Sequence, residues 1–182
     1  YGDDIQRMAD LSSRGVWING KGGVVDVDSM AAYIDRIAKD YTSYKGLKVA
    51  WDAGNGATGN ALVRLVRRLP GEHILLNEKI DGTFPAHHPD PTVEENLEQL
   101  KETVLAEGCD LGIGFDGDGD RIGVIDDMGR VIWGDQLLAI LAREVLERRP
   151  GAPVLADVKA SQVLFDEIER LGGTPVMCPT GH

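Results

Sequence analysis

Between residues 47 and 178, apolar runs of strand length alternate with amphipathic stretches of helix length, and this alternation limits the fold more than any other feature. Leu47–Trp51, His73–Leu76, Leu111–Phe115, Ile122–Asp126, Val131–Trp133, Val154–Asp157 and Pro175–Cys178 read as strands. Between them, residues 60–69 read as a helix with Leu62, Leu65, Val66 and Leu69 inward, and Glu94–Ala106 as one on Leu97, Leu100 and Val104. Asp135 is expected to cap a helix with Leu138, Leu141, Ala142 and Val145 inward, and Ser161–Leu171 follows as another. Upstream, a short helix over 3–11 precedes a glycine-rich turn and an extended piece at Val24, Val25 and Val27. Ser29 is then expected to cap a helix on Met30, Tyr33, Ile34, Ile37, Ala38 and Tyr41. Strands this short, alternating with helices, predict an α/β fold of three-layer sandwiches, with a mixed sheet covered by helices on both faces. A new strand-helix-strand set begins near Gly134-Asp135 with too few strands to close a core, so the chain is expected to be cut at both ends.

The 182 residues carry a formal net charge of -11 and are 42% hydrophobic. That charge argues against a general nucleic-acid or membrane-surface binder, because phosphates and anionic lipids would be repelled. Cys109 and Cys178 have no CxxC spacing, which points away from a disulfide scaffold or zinc knuckle. With no signal peptide in residues 1–15 and no apolar run of about 18 residues, the expected setting is the reducing cytoplasm.

The chemistry concentrates in Phe115-Asp116-Gly-Asp118-Gly-Asp120-Arg121, between two of the strands. Glycines 117 and 119 permit positive φ, so the backbone can curl and aim three carboxylates at one point. Two carboxylates about 4 Å apart repel by roughly 4 kcal/mol at an effective dielectric near 20, so a bound hard cation is the simplest remedy. Oxygen-only ligands favour Mg²⁺, Mn²⁺ or Ca²⁺. An EF-hand fails on detail: its sixth position requires glycine and holds Arg121, and strands flank the loop. An aspartyl-phosphate phosphatase loop with Asp116 as nucleophile remains an alternative. Arg121, next to the cluster, suits a clamp on a phosphoryl group, or it forms a salt bridge with one of the aspartates.

Several segments, in order along the chain, resemble the α-D-phosphohexomutase family in its phosphomannomutase/phosphoglucomutase branch. They are Trp51-Asp-Ala-Gly-Asn-Gly-Ala-Thr-Gly59, Asp81-Gly-Thr-Phe-Pro-Ala-His-His-Pro-Asp-Pro91, the Asp116–Asp126 stretch, Asp157-Val-Lys159 and Thr180-Gly-His182. The resemblance implies that Asp116, Asp118 and Asp120 bind Mg²⁺, that Arg121 meets the reacting phosphate, and that Lys159 and His182 contact the phosphosugar. It also implies exchange of mannose or glucose 1-phosphate with the 6-phosphate through a hexose 1,6-bisphosphate and an enzyme phosphoserine. None of Ser12, Ser13, Ser29, Ser43 and Ser161 lies in the family's phosphoserine loop. By this resemblance residues 1–28 are the tail of a first domain, 29–133 a second domain with the metal loop, and 134–182 the start of a third. The chain alone is then expected to bind Mg²⁺ without mutase activity. A rival reading takes Gly54-Asn-Gly56-Ala-Thr-Gly59 as a dinucleotide fingerprint, with Glu78 as its acidic residue. Asp52, just before it, would repel a pyrophosphate. His87-His88, between Pro85 and Pro89, are read mainly as shaping a rigid loop, with a phosphate contact as the lesser reading.

Overall fold

The computed structural model describes residues 2–43 and 45–180. Strands β1 (Leu47–Asp52), β2 (Gly71–Leu76), β3 (Leu111–Phe115), β4 (Ile122–Asp126) and β5 (Val131–Ile132) form a sheet in the order β2-β1-β3-β4-β5. β1 lies parallel to β2 and β3, each reached by a helical crossover, whereas β4 returns antiparallel to β3 through a short loop and β5 returns antiparallel to β4. The mixed sheet follows from those connection lengths.

Helix α4 (Glu98–Glu107), entered through a 3₁₀ turn at Glu94–Leu97, sets Leu97, Leu100 and Val104 in one core with Ala50 and Ile125. Each fully buried Leu or Ile there contributes about 1.5–3 kcal/mol relative to exposure. Val49, which points to the opposite side of β1, is buried as well, so both faces of that strand are covered. Helices α2 (Met30–Ala38) and α3 (Gly59–Leu65) pack on one another and bury Ile34 and Leu62.

A second sheet pairs β6 (Pro153–Asp157) with β7 (Thr174–Cys178) in parallel. Helices α5 (Gly134–Arg148) and α6 (Gln162–Arg170) cover one face through Ala142, Leu146, Leu164, Phe165 and Ile168. Leu155 and Met177 are exposed. Ser161, the start of the expected helix, caps α6, its hydroxyl accepting from Val163 N.

The extended piece at Val24–Val27 pairs with no strand among the described residues, and its valines are exposed. At the helices the sequence reading and the structure differ in three places. Ser29 precedes α2 but its side chain makes no cap bond; the Asp28 carboxylate accepts from Met30 N instead. Asp135 lies inside the first turn of α5, after Trp133 at the cap, and its carboxylate accepts from Ser161 N at 3.1 Å. In α5 the buried residues are Ala142 and Leu146, while Leu141 and Val145 face outward. Helix α1 (Gly2–Ser13) buries nothing. Among the described residues no helix is long and apolar enough to cross a membrane.

Candidate metal centre

The 116–121 loop leaves the C-terminal end of β3 and returns at once along β4, so the sheet fixes both of its ends. Asp116, Asp118 and Asp120 each offer a carboxylate oxygen, and the three atoms lie within 4.8 Å of one another. Asp116 is buried; Asp118 and Asp120 are exposed. The curl needs one left-handed glycine rather than two. Gly119 has φ +79°, and a β-carbon there would stand 2.3 Å from Thr58 Cγ2, whereas Gly117 has no positive φ.

Asp116 organises the loop. Its Oδ1 accepts from Gly119 N at 2.9 Å and from Arg121 N at 3.1 Å, and its Oδ2 accepts from Arg121 Nε at 2.8 Å. Burial pushes this carboxyl up, but the hydrogen bonds from the Arg121 backbone and guanidinium outweigh it and hold the group below its ordinary value. Asp120 moves the opposite way, raised by its hydrogen bond with Asp116 and by the charges of Asp118 and Asp116. The cluster thus carries the like-charge repulsion anticipated from its sequence, and a divalent cation among these oxygens would relieve it. Three carboxylate donors on one point fit a hard cation.

Arg121 makes the salt bridge anticipated as one of its two readings, and a second one besides. Its Nη1 donates to Asp90 Oδ1 at 3.1 Å, while Asp120 lies 3.6 Å from Nε. The guanidinium nevertheless remains half exposed. Asp90 was not singled out from the sequence. Its signal was an acidic residue set between two prolines and followed by Thr92, whose backbone N–H and hydroxyl both donate to it.

Lys159 lies in the turn between β6 and α6, exposed, beside a cavity of ≈ 510 Å³ that Trp133, Asp135 and Asp157 also line. Its backbone N–H donates to Asp157, and among the described residues no ion pair joins it to the acidic loop. Asp157 also accepts from the Thr180 hydroxyl at 2.6 Å, which, with the Lys159 N–H, lowers its pKa. His182 lies outside the described residues.

The two rival chemistries lose their geometry. Asp116 has both oxygens in hydrogen bonds with its own loop and a side chain 3% exposed, which favours an anchoring carboxylate over a nucleophile. At the 54–59 turn, Gly59 packs so closely that a β-carbon would meet the Glu78 carbonyl oxygen at 2.0 Å. Asp52, buried at the end of β1, accepts from Gly54 N, Asn77 Nδ2 and His87 Nε2. The turn is a packing device, with a carboxylate and a histidine where a pyrophosphate would have to lie.

This sheet with its acidic loop, followed by a second α/β unit, defines the class. The description "Phosphoglucomutase/phosphomannomutase, alpha/beta/alpha domain II" matches residues 31–129, and the corresponding domain III matches residues 133–182. The chain belongs to the phosphoglucomutase/phosphomannomutase family. The phosphomannomutase/phosphoglucomutase of Pseudomonas aeruginosa is 41% identical over 180 residues, which are 99% of this chain and 39% of that protein. The crystal structure of a phosphoglucomutase/phosphomannomutase family protein from Burkholderia thailandensis superposes with a TM-score of 0.95 at 40% identity, covering 100% of this chain and 40% of the other. An N-acetylphosphoglucosamine mutase from Aspergillus fumigatus, in complex with GlcNAc-6P and magnesium, shares the fold at 19% identity and a TM-score of 0.58, over 84% of this chain and 31% of the other. The chain spans about two fifths of the curated relative's length.

Proposed function

We propose that this chain provides the metal loop and phosphate clamp of a phosphohexose mutase that exchanges hexose 1-phosphate with hexose 6-phosphate. The observation that carries the reading is the convergence of the three carboxylates within 4.8 Å, beside an arginine whose guanidinium is tied down yet half exposed. Residues 1–28, 29–133 and 134–182 are assigned to the end of a first domain, a second domain and the beginning of a third. The two matched stretches, 31–129 and 133–182, support a division near residue 133.

Asp116, Asp118 and Asp120 would hold Mg²⁺, which when bound neutralises charge on phosphoryl oxygens. The magnesium of the Aspergillus neighbour supports that choice of ion. Arg121 directs its free N–H groups at the same phosphoryl group, and its charge is secure because the hydrogen bond to Asp116 raises its pKa further. Phosphoryl transfer depends mainly on positioning and charge stabilisation, so a loop fixed by strands on both sides suits it. The phosphoryl group passes from an enzyme phosphoserine to a free sugar hydroxyl, giving a hexose 1,6-bisphosphate; the sugar's other phosphate then returns to the serine. Lys159 and His182 are assigned to the phosphosugar. Mannose and glucose phosphates are the proposed substrates, in line with the name of the Pseudomonas relative.

Calorimetry on the isolated chain should show Mg²⁺ uptake that Asp118→Ala abolishes, with no conversion of mannose 1-phosphate. In a full-length enzyme carrying this sequence, the same substitution should stop turnover. Normal turnover by the Asp118→Ala enzyme would sink the reading.

A further inference from the structure

The guanidinium of Arg121 is planar, and a single hydrogen bond at Nε leaves it free to pivot about that bond. Two charge-assisted contacts on different nitrogens remove the freedom. Asp116 takes Nε, Asp90 takes Nη1, and Nη2 is left with no partner among the described residues. The first contact lies five residues away, inside the acidic loop. The second comes from 31 residues earlier, on the long loop between β2 and α4.

That long loop is itself locked in place. His87 Nε2 donates to buried Asp52 at 2.8 Å, and Asp81 N donates to the Asn55 carbonyl at 2.9 Å. Asp90 Oδ1 accepts from Thr92 N and from Thr92 Oγ1, and Asn96 Nδ2 donates to the Asp90 carbonyl at 2.9 Å. Phe84, in the left-handed region at φ 49°, and Pro89 lie within 3.5 Å of where a β-carbon on Gly117 would stand. Left-handed backbone is strained at a bulky residue, and here it places the Phe84 ring beside the acidic loop.

The geometry points to Asp90 as a positioning residue for phosphoryl transfer, one that fixes the plane of Arg121 from a loop anchored at Asp52–His87. This rests on the proposed role of Arg121. Asp90 is assigned no contact with a reacting atom; its Oδ1 accepts from Thr92 and from the guanidinium. Its function is to present the unpartnered Nη2 edge in one orientation, so that the clamp on a phosphoryl group is set before substrate arrives.

The test is a double-mutant cycle in a full-length enzyme carrying this sequence, with glucose 1-phosphate as substrate and melting followed in parallel. Asp90→Ala is expected to lower kcat about tenfold, a loss discounted for the half-exposed guanidinium. Asp90→Asn, which keeps an acceptor for the Thr92 turn, should lower kcat by a smaller factor. Thr92→Val, which loosens the turn but leaves the Asp90–Arg121 pair, should lower the melting temperature and leave kcat within about twofold. In an Arg121→Ala background, Asp90→Ala should change kcat by less than about twofold, because nothing remains for it to position. A full tenfold loss in that background would mean that Asp90 acts through the loop's fold, and the inference fails. It also fails if Arg121→Ala cripples turnover while Asp90→Ala does not. Normal turnover by the Arg121→Ala enzyme would instead remove the proposed role of Arg121 and the inference together, a result distinct from the other two.

Discussion

Asp52, the last residue of β1, and Asp116, just past the end of β3, lie at the same edge of neighbouring parallel strands, and they are about equally buried, at 1% and 2% exposure. Each accepts from a backbone N–H of its own loop and from a cationic or polar side chain. Their company separates them. Asp52 is enclosed by Gly54, Asn77 and His87, and among the described residues it joins no carboxylate cluster. Asp116 has Asp118 and Asp120 beside it, both open to water. A buried, fully hydrogen-bonded carboxylate at a strand end is therefore a structural element in one loop and the root of a candidate site in the other. Neither burial nor strand-end position tells the two apart; convergence of further ligands does.

The strongest test of that contrast is Asp118→Ala in a full-length enzyme carrying this sequence. Removing an exposed ligand should lower kcat by a hundredfold or more, about 2.7 kcal/mol, while melting without Mg²⁺ stays within a few degrees. Asp52→Ala should do the reverse. It leaves buried partners unpaired, so denaturant unfolding of the chain should show a loss of about 3 kcal/mol, with Mg²⁺ affinity in the residual folded fraction retained. If instead Asp52→Ala abolished Mg²⁺ uptake at full folding, the division of roles would be wrong. Gly119→Ala sharpens the boundary between fold and site. Positive φ and the approach to Thr58 should together cost about 1–3 kcal/mol of stability and weaken Mg²⁺ binding, both readable in one calorimetric titration with a parallel melt.

The smallest effect concerns Asp126, a partly covered aspartate at the end of β4 that lies outside the three-carboxylate cluster. Its pKa is lowered by hydrogen bonds from Arg130 N, the Arg130 guanidinium and Met128 N. A carboxyl depressed in the folded state adds stability above its ordinary pKa near 3.8, and that stability is lost as pH falls through the lower folded value. Asp126→Asn should therefore flatten the stability profile below about pH 4 and leave Mg²⁺ binding unchanged. Unaltered acid melting in the variant would show that the Arg130 contacts do not persist in solution.

Much of this was readable from the chain because the signals are local. Strands Leu111–Phe115 and Ile122–Asp126 fall where the apolar runs place them, and the three aspartates meet because their spacing and Gly119 bring them together. The misplaced features depend on distant partners. Helix α5 carries Leu137, Leu138, Ile140, Leu141, Val145 and Leu146, enough for two adjacent apolar stripes. Contact with α6 and β6 selects the stripe through Ala142 and Leu146, which the helix's own period cannot do. Val24, Val25 and Val27 have strand propensity, but no described strand pairs with them. The Asp90–Arg121 pair spans 31 residues and three elements, so no window of sequence contains it.

The antiparallel return of β4 has a mechanical consequence. With Phe115 paired to Ile122 and Gly114 to Gly123, the acidic turn is bolted to the sheet on either side and has no hinge of its own. Swinging it open would unzip an interior ladder. The turn is the stator of the proposed catalyst, and any motion that accompanies the proposed exchange falls to another part of the protein.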